Sequence, residues 1–200
     1  IVEAVMERNI TKKLIEWNNS ERRKPLIVWG ARQVGKTYLV KDIFAQQFYK
    51  DNYVYIDCKI EDEIRELCSK TANADKIIEY ISLAKGRKID ENTLLIFDEV
   101  QECPNIISSH NGRFLFPVGK INQMTICPMT FDEFLMNSNK MLYDAVSGAY
   151  ASRKPLEAKI HELAMEQVYR YLLVGGMPEA VEAYIESGSL FESGEILKTL

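Results

Sequence analysis

The stretch LIVWGARQVGKTYLV, residues 26–40, opens as an apolar run, breaks at Gly30, presents a second glycine and a cation at Gly35 and Lys36, and turns apolar again after Thr37. Pro25 and the run Leu26–Trp29 predict a strand buried on both faces of a parallel sheet. Downstream, Leu39, Val40, Ile43, Phe44 and Phe48 recur at helical spacing, so the period changes from strand to helix across the glycines. Residues 30–37, GARQVGKT, fit GxxxxGKT in the strand–loop–helix context that a phosphate-binding loop requires. The chemistry explains the spacing. Consecutive N–H groups wrap a phosphate only if the backbone comes close and takes positive φ, which glycine permits. The helix that follows adds its N-terminal N–H groups and its dipole.

In this reading Gly30, Ala31, Arg32, Gln33, Val34, Gly35, Lys36, Thr37 and Tyr38 contact the nucleotide. Lys36 neutralises the β- and γ-phosphates, and the Thr37 hydroxyl ligates Mg2+. Arg32 is open between a phosphate contact and an ion pair. TLLIFDEV, residues 93–100, predicts another buried strand ending in two carboxylates. Burying adjacent carboxylates inside a sheet is costly, so the strand is expected to end there and present both at its C-terminal edge. Asp98 then holds Mg2+ through water, and Glu99 is the general base that activates water. DEVQ also fits a DExQ pattern found in some helicases, in which Gln101 senses nucleotide; about 100 residues after Gln101 leave no room for a second motor domain.

The remaining composition sets bounds. Of 200 residues, 46% are apolar and 27% charged, the balance of a water-soluble globule with one sizeable domain or a domain and an appendage. A net charge of -4 argues against coating nucleic acid through bulk positive charge. The basic runs ERRK (21–24) and KGRK (85–88) read as solvated loops. Cys58, Cys68, Cys103 and Cys127 show no CxxC spacing, and the two histidines, His110 and His161, form no cluster, which excludes a structural zinc site. Without a signal peptide or an apolar stretch of about 18 residues, the expected setting is cytoplasmic, with free and mostly buried thiols.

Along the chain, VEAVMERNITKKLIEW predicts one or two amphipathic helices before the loop. NYVYIDC (52–58) predicts a strand, and DEIRELCSK and ADKIIEYISLAKG predict helices, the second ending near Gly86. QMTICPMTFDEFL reads as a strand running into a helix. From Pro155 the chain is expected to be helical except at GGMP (175–178), where glycine stops one helix and Pro178 starts the next. Tyr169, Tyr171 and Tyr184 at helical spacing are expected in the core. The alternation of strands and helices predicts an α/β fold, a P-loop NTPase three-layer sandwich with a mostly parallel sheet and a C-terminal helical lid. The expected partition is an N-terminal helical segment over 1–24, the core over 25–135, and over 136–200 the lid with the start of a truncated C-terminal region.

Four segments taken together, KPLIVWGARQVGKTYLV, LLIFDEVQECPNIISS, FPVGKINQMTICPMTFDEFL and YLLVGGMPEAVEAYI, resemble a family of prokaryotic AAA+-like ATPases that carry a C-terminal domain of unknown function, nuclease-like in such proteins. The likeness covers roughly residues 8 to 190. It implies an ATP-binding core with an α-helical lid, related to archaeal ATPases and to the signal-transduction ATPases with numerous domains. One departure stands out. In that family a helix and a strand with a polar sensor segment follow the acidic pair, whereas here Ser109-His110 runs almost directly into Asn111-Gly112-Arg113. Deleting a central strand would open a sheet edge, so the expectation is a stretch left out between His110 and Asn111.

The resulting expectation is an ATPase that binds ATP with Mg2+ and turns it over slowly as a conformational switch. The alternative is an ATP- or ADP-gated interaction module with little turnover. A C-terminal domain or protein partner is expected, an oligomer is compatible, nucleic acid is unsupported, and no membrane is involved. An arginine finger is open among Arg113, Arg153 and Arg170, and Lys120 reads as a surface lysine.

Overall fold

A computed structural model gives the structure and describes residues 6–71, 73–103, 106 and 121–199. The chain folds as an α/β protein with a P-loop NTPase-like arrangement and a C-terminal helical region. In order, the elements are α1 (Ile10–Asn18), β1 (Leu26–Trp29), α2 (a π-helical stretch Tyr38–Ala45 continued by Gln46–Phe48), β2 (Tyr53–Asp57), α3 (Asp62–Lys70), α4 (Ala74–Ala84) and β3 (Leu94–Asp98). A 3-10 turn (Val100–Glu102) comes next, then β4 (Asn122–Thr125), α5 (Phe131–Ser138), α6 (Lys140–Ser152), α7 (Ala158–Val174), α8 (Pro178–Ser187) and α9 (Leu190–Thr199). The described residues fall into two compact units. One lies within Ile1–Trp17, Gly30–Lys36 and Thr125–Leu200, the other within Asn18–Trp29 and Thr37–Met124.

The second unit is built on a βαβ crossover. β2 and β3 pair in parallel, with Tyr53 opposite Leu94, Tyr55 opposite Ile96 and Asp57 opposite Asp98. Alternation along β2 sends Val54 and Ile56 to one face, where they meet Ile64 and Cys68 of α3, Ile77 and Ile81 of α4, and Cys58, Cys103 and Ile106. Ile56, Ile77 and Ile81 are fully buried, each contributing about 2 kcal/mol of hydrophobic stabilisation. The Asn73 side chain caps α4 by accepting from the Lys76 N–H, and Gly86 closes it with φ 60. The other face of β2 carries Tyr53, Tyr55 and Asp57 and is met by α2: the Gln46 amide donates to the Tyr53 hydroxyl at 2.8 Å, and the Lys41 ammonium lies 4.7 Å from the Tyr55 ring centroid.

The expected full burial of β1 and β3 is corrected. Every residue of β3 is half-buried, and Trp29 at the end of β1 is 51% exposed. Among the described residues the strands form two pairs, β1 with β4 and β2 with β3, so each has one hydrogen-bonded neighbour. The expected gap between His110 and Asn111 lies outside the described residues, as do Arg113 and Lys120.

The first unit gathers helices around two apolar clusters. Met129, Phe134, Val174, Val181 and Tyr184 form one, and Leu135, Leu142 and Ala164 the other. α5 begins with a capping box, in which Glu133 Oε2 accepts from the Thr130 N–H at 3.0 Å. At GGMP, Gly175 ends α7 with φ 73 and Pro178 starts α8, as expected. Gly176 also allows a close approach: Met129 N donates to its carbonyl at 2.6 Å, and a Cβ there would sit 2.2 Å from Met129 O. A further break follows at Gly188. Tyr171 and Tyr184 pack in the core, whereas Tyr169 is 62% exposed; two residues along a helix from Tyr171 turns it away from the packed face.

Candidate functional site

The loop 30–36 belongs to the helical unit, and its shape is set by packing. A Cβ at Gly30 would lie 2.4 Å from Ile126 O and 3.1 Å from a Val34 methyl, so no larger residue fits there. Val34 is fully buried and anchors the loop. Gln33 (φ 62) and Gly35 (φ 82) are both left-handed, the turn geometry in which successive N–H groups converge on one side of the backbone. A Cβ on Gly35 would meet only Pro178 Cγ at 3.7 Å, so at this position the backbone conformation, not space, calls for glycine. The Lys36 ammonium donates to Gly30 O at 2.9 Å and Ala31 O at 2.7 Å. These are weak, neutral acceptors, which an anionic phosphate outcompetes. Ala31, Arg32 and Gln33 are exposed, and Arg32 has no ion-pair partner among the described residues.

Arg8 braces this loop from behind. Its guanidinium donates to Val34 O (3.4 Å), Cys127 O (2.7 Å) and Glu133 Oε1 (3.3 Å), and it is nearly buried against that carboxylate. Glu133 thus caps α5 and neutralises Arg8 at once. The capping signature Thr130–Glu133 is legible in the sequence, but the pairing with Arg8, 125 residues away, is not.

In the β2–β3 unit, the Thr37 hydroxyl donates to Asp98 Oδ2 at 2.6 Å. The Tyr55 hydroxyl donates to the same oxygen at 2.9 Å, and the Glu99 N–H donates to Asp98 Oδ1 at 3.0 Å. Burial pushes the Tyr55 phenol up, reinforced by its bond to Asp98, so it remains a donor throughout the physiological range. β3 ends at Asp98 as the adjacent carboxylates require, and Glu99 follows in the left-handed region with φ 49. That conformation costs a non-glycine residue roughly 1 kcal/mol and turns the exposed Glu99 side chain out of the strand. The Gln101 amide donates to Glu99 Oε2. Tyr38 is exposed at the start of α2.

The donor set suits Mg2+. Thr37 gives its only proton to Asp98, which leaves the hydroxyl lone pairs for a hard cation, and Asp98 Oδ1 keeps an accepting site for a metal-bound water. Among the described residues no group of three or more His, Cys, Asp or Glu could cage a metal. A cation held here would take its remaining ligands from phosphate oxygens and water, the habit of Mg2+.

Of the other residues weighed from the sequence, Arg153 ends α6 in the left-handed region, and Arg170 donates to the Tyr184 hydroxyl at 3.2 Å. Cys58, Cys68 and Cys103 are buried and Cys127 is exposed, and none of the four is in a disulfide. Tyr55 is not singled out by the sequence, because an aromatic on a half-buried strand reads as packing; the available clue is its position two residues before Asp57 on the strand that pairs with the one running into Asp98-Glu99.

No helix among the described residues is long and apolar enough to cross a membrane. A search of curated proteins finds no match to the sequence. Residues 22–114, which contain both GARQVGKT and Asp98-Glu99, match the family described as an AAA domain. That segment is similar to an AAA-like family of P-loop ATPases, a nucleotide-binding class.

Proposed function

We propose that this chain binds ATP with Mg2+ at residues 30–38 and Asp98, and hydrolyses it slowly with Glu99 as the base. The observation that carries the reading is the Thr37–Asp98 hydrogen bond, which joins the end of the phosphate-loop sequence to the carboxylate that ends β3. Lys36 exchanges the carbonyls of Gly30 and Ala31 for phosphate oxygens, and left-handed Gln33 and Gly35 aim loop N–H groups at the same anion. Mg2+, when bound, supplies charge neutralisation on the phosphates. Glu99 accepts a proton from the attacking water. Turnover is slow in this reading because the Gln101 amide already donates to the Glu99 carboxylate, a bond that must be broken before the base acts.

The purpose of slow turnover is a switch, the nucleotide state altering the relation between a core over 25–135, a helical lid over 136–200 and a protein partner. ATPase rates of the wild type, Lys36→Ala and Glu99→Gln test the assignment. Both variants are expected to lose at least tenfold in turnover; unaltered turnover in both discards it. The Gln101–Glu99 bond also favours a second reading, a nucleotide-gated interaction module that retains ATP. Radiolabelled ATP separates the two: label released as phosphate supports hydrolysis, and label kept intact on the protein supports the module.

A further inference from the structure

We propose that Tyr55 is a positioning residue for the cation: its hydroxyl fixes the Asp98 carboxylate so that Oδ2 serves Thr37 while Oδ1 stays available to the metal's water shell. This rests on the Mg–ATP reading above and adds to it a residue outside both sequence motifs.

The geometry is specific. Each carboxylate oxygen offers about two accepting sites. Asp98 Oδ2 has both taken, by Thr37 Oγ1 at 2.6 Å and Tyr55 Oη at 2.9 Å. Oδ1 has one taken, by the Glu99 N–H at 3.0 Å. The tyrosine thus decides which oxygen is left over. Without it, Oδ2 has an open site, and the carboxylate is free to turn and offer either oxygen to the cation.

The fold also holds the tyrosine in place. Tyr55 lies opposite Ile96 in the parallel register, which puts it on the face of the β2–β3 pair that carries Asp98, two residues further along β3. Lys41, one helical turn beyond Thr37, sets its ammonium 4.7 Å from the ring centroid. Thr37 and Lys41 on α2 therefore address the carboxylate and the ring that hold one another. Tyr53, two residues before Tyr55 on the same face, is bonded instead to Gln46 and supplies an internal control.

The test is binding of a fluorescent ATP analogue to the full chain while Mg2+ is titrated, for the wild type, Tyr55→Phe and Tyr53→Phe, with thermal melts of all three. Tyr55→Phe keeps the ring and removes one hydrogen bond to a charged group. It is expected to raise the Mg2+ concentration at half-effect roughly five- to tenfold while leaving analogue binding in excess chelator unchanged. Tyr53→Phe is expected to keep the wild-type midpoint. An unchanged Mg2+ midpoint in Tyr55→Phe overturns the role of Tyr55 alone, even if its melting temperature falls, since a merely structural hydroxyl gives that pattern. An equal shift in Tyr53→Phe also overturns it. A wild type whose analogue binding ignores Mg2+ overturns the Mg–ATP reading itself, and the role of Tyr55 with it.

Discussion

Gly30 and Gly35 look equivalent in the sequence and are held for different reasons, which substitution separates. Gly30→Ala drives a methyl into Ile126 O, a backbone atom that cannot swing aside. It is expected to cost about 1–3 kcal/mol in stability and to lower nucleotide affinity with it. Gly35→Ala has room beside Pro178 but is forced to keep φ 82, so it is expected to cost about 1 kcal/mol and to act mainly on binding. Urea melts beside nucleotide titrations show whether the two variants part in this way. The thiols give a second prediction at this scale. Cys127 is exposed and is expected to take up iodoacetamide first, while Cys58, Cys68 and Cys103 react only on unfolding; mass spectrometry of the alkylated sites reads this directly. The four-residue signature was legible because it is local. Tyr55 and Arg8 were not, since their partners lie 43 and 125 residues away and only the register of β2 on β3 and the packing of α5 bring them together.

Among the elements, α4 shows how much the sequence period carried. Ile77 and Ile81, one helical turn apart, are fully buried against β2, and the Asn73 cap and Gly86 bound the helix where its sequence placed them. Ile81→Ala is expected to destabilise the β2–β3 unit by about 2–5 kcal/mol, measured by chemical denaturation, because it leaves a cavity that α3 and β2 line from fixed positions. β1 and β3 misled for the converse reason. A continuous apolar run reports that a strand can be buried on two faces, and carries no record of how many neighbours the sheet supplies. α2 adds a feature that its period concealed, since the chain winds as a π-helix over Tyr38–Ala45 while Leu39, Phe44 and Ala45 stay buried.

For the whole molecule, alkali is a probe of the unit built on β2. Burial, then the neighbouring Cys103, pushes the Cys68 thiol up to about 12, and Cys58 is raised for the same reasons. A thiol whose folded value exceeds its unfolded one stabilises fully below the unfolded value of about 9, and that stability is lost as pH climbs from there towards 12. The urea midpoint is expected to hold steady up to about pH 9 and then fall, and a Cys68→Ala variant to fall less steeply. The α/β class and the helical C-terminal region were legible from the alternation of periods. The two units were not, because the chain passes between them at residues 17/18, 29/30, 36/37 and 124/125, and no compositional boundary marks those places. That threading bears on how the protein can be dissected. Neither unit is an uninterrupted length of polypeptide, so no single protease nick frees one intact, and expressing 25–135 alone strips Gly30–Lys36 of the helices it is built with. Such a fragment is expected to fail to retain nucleotide in equilibrium dialysis, even though every letter of the phosphate-loop signature is still written in it.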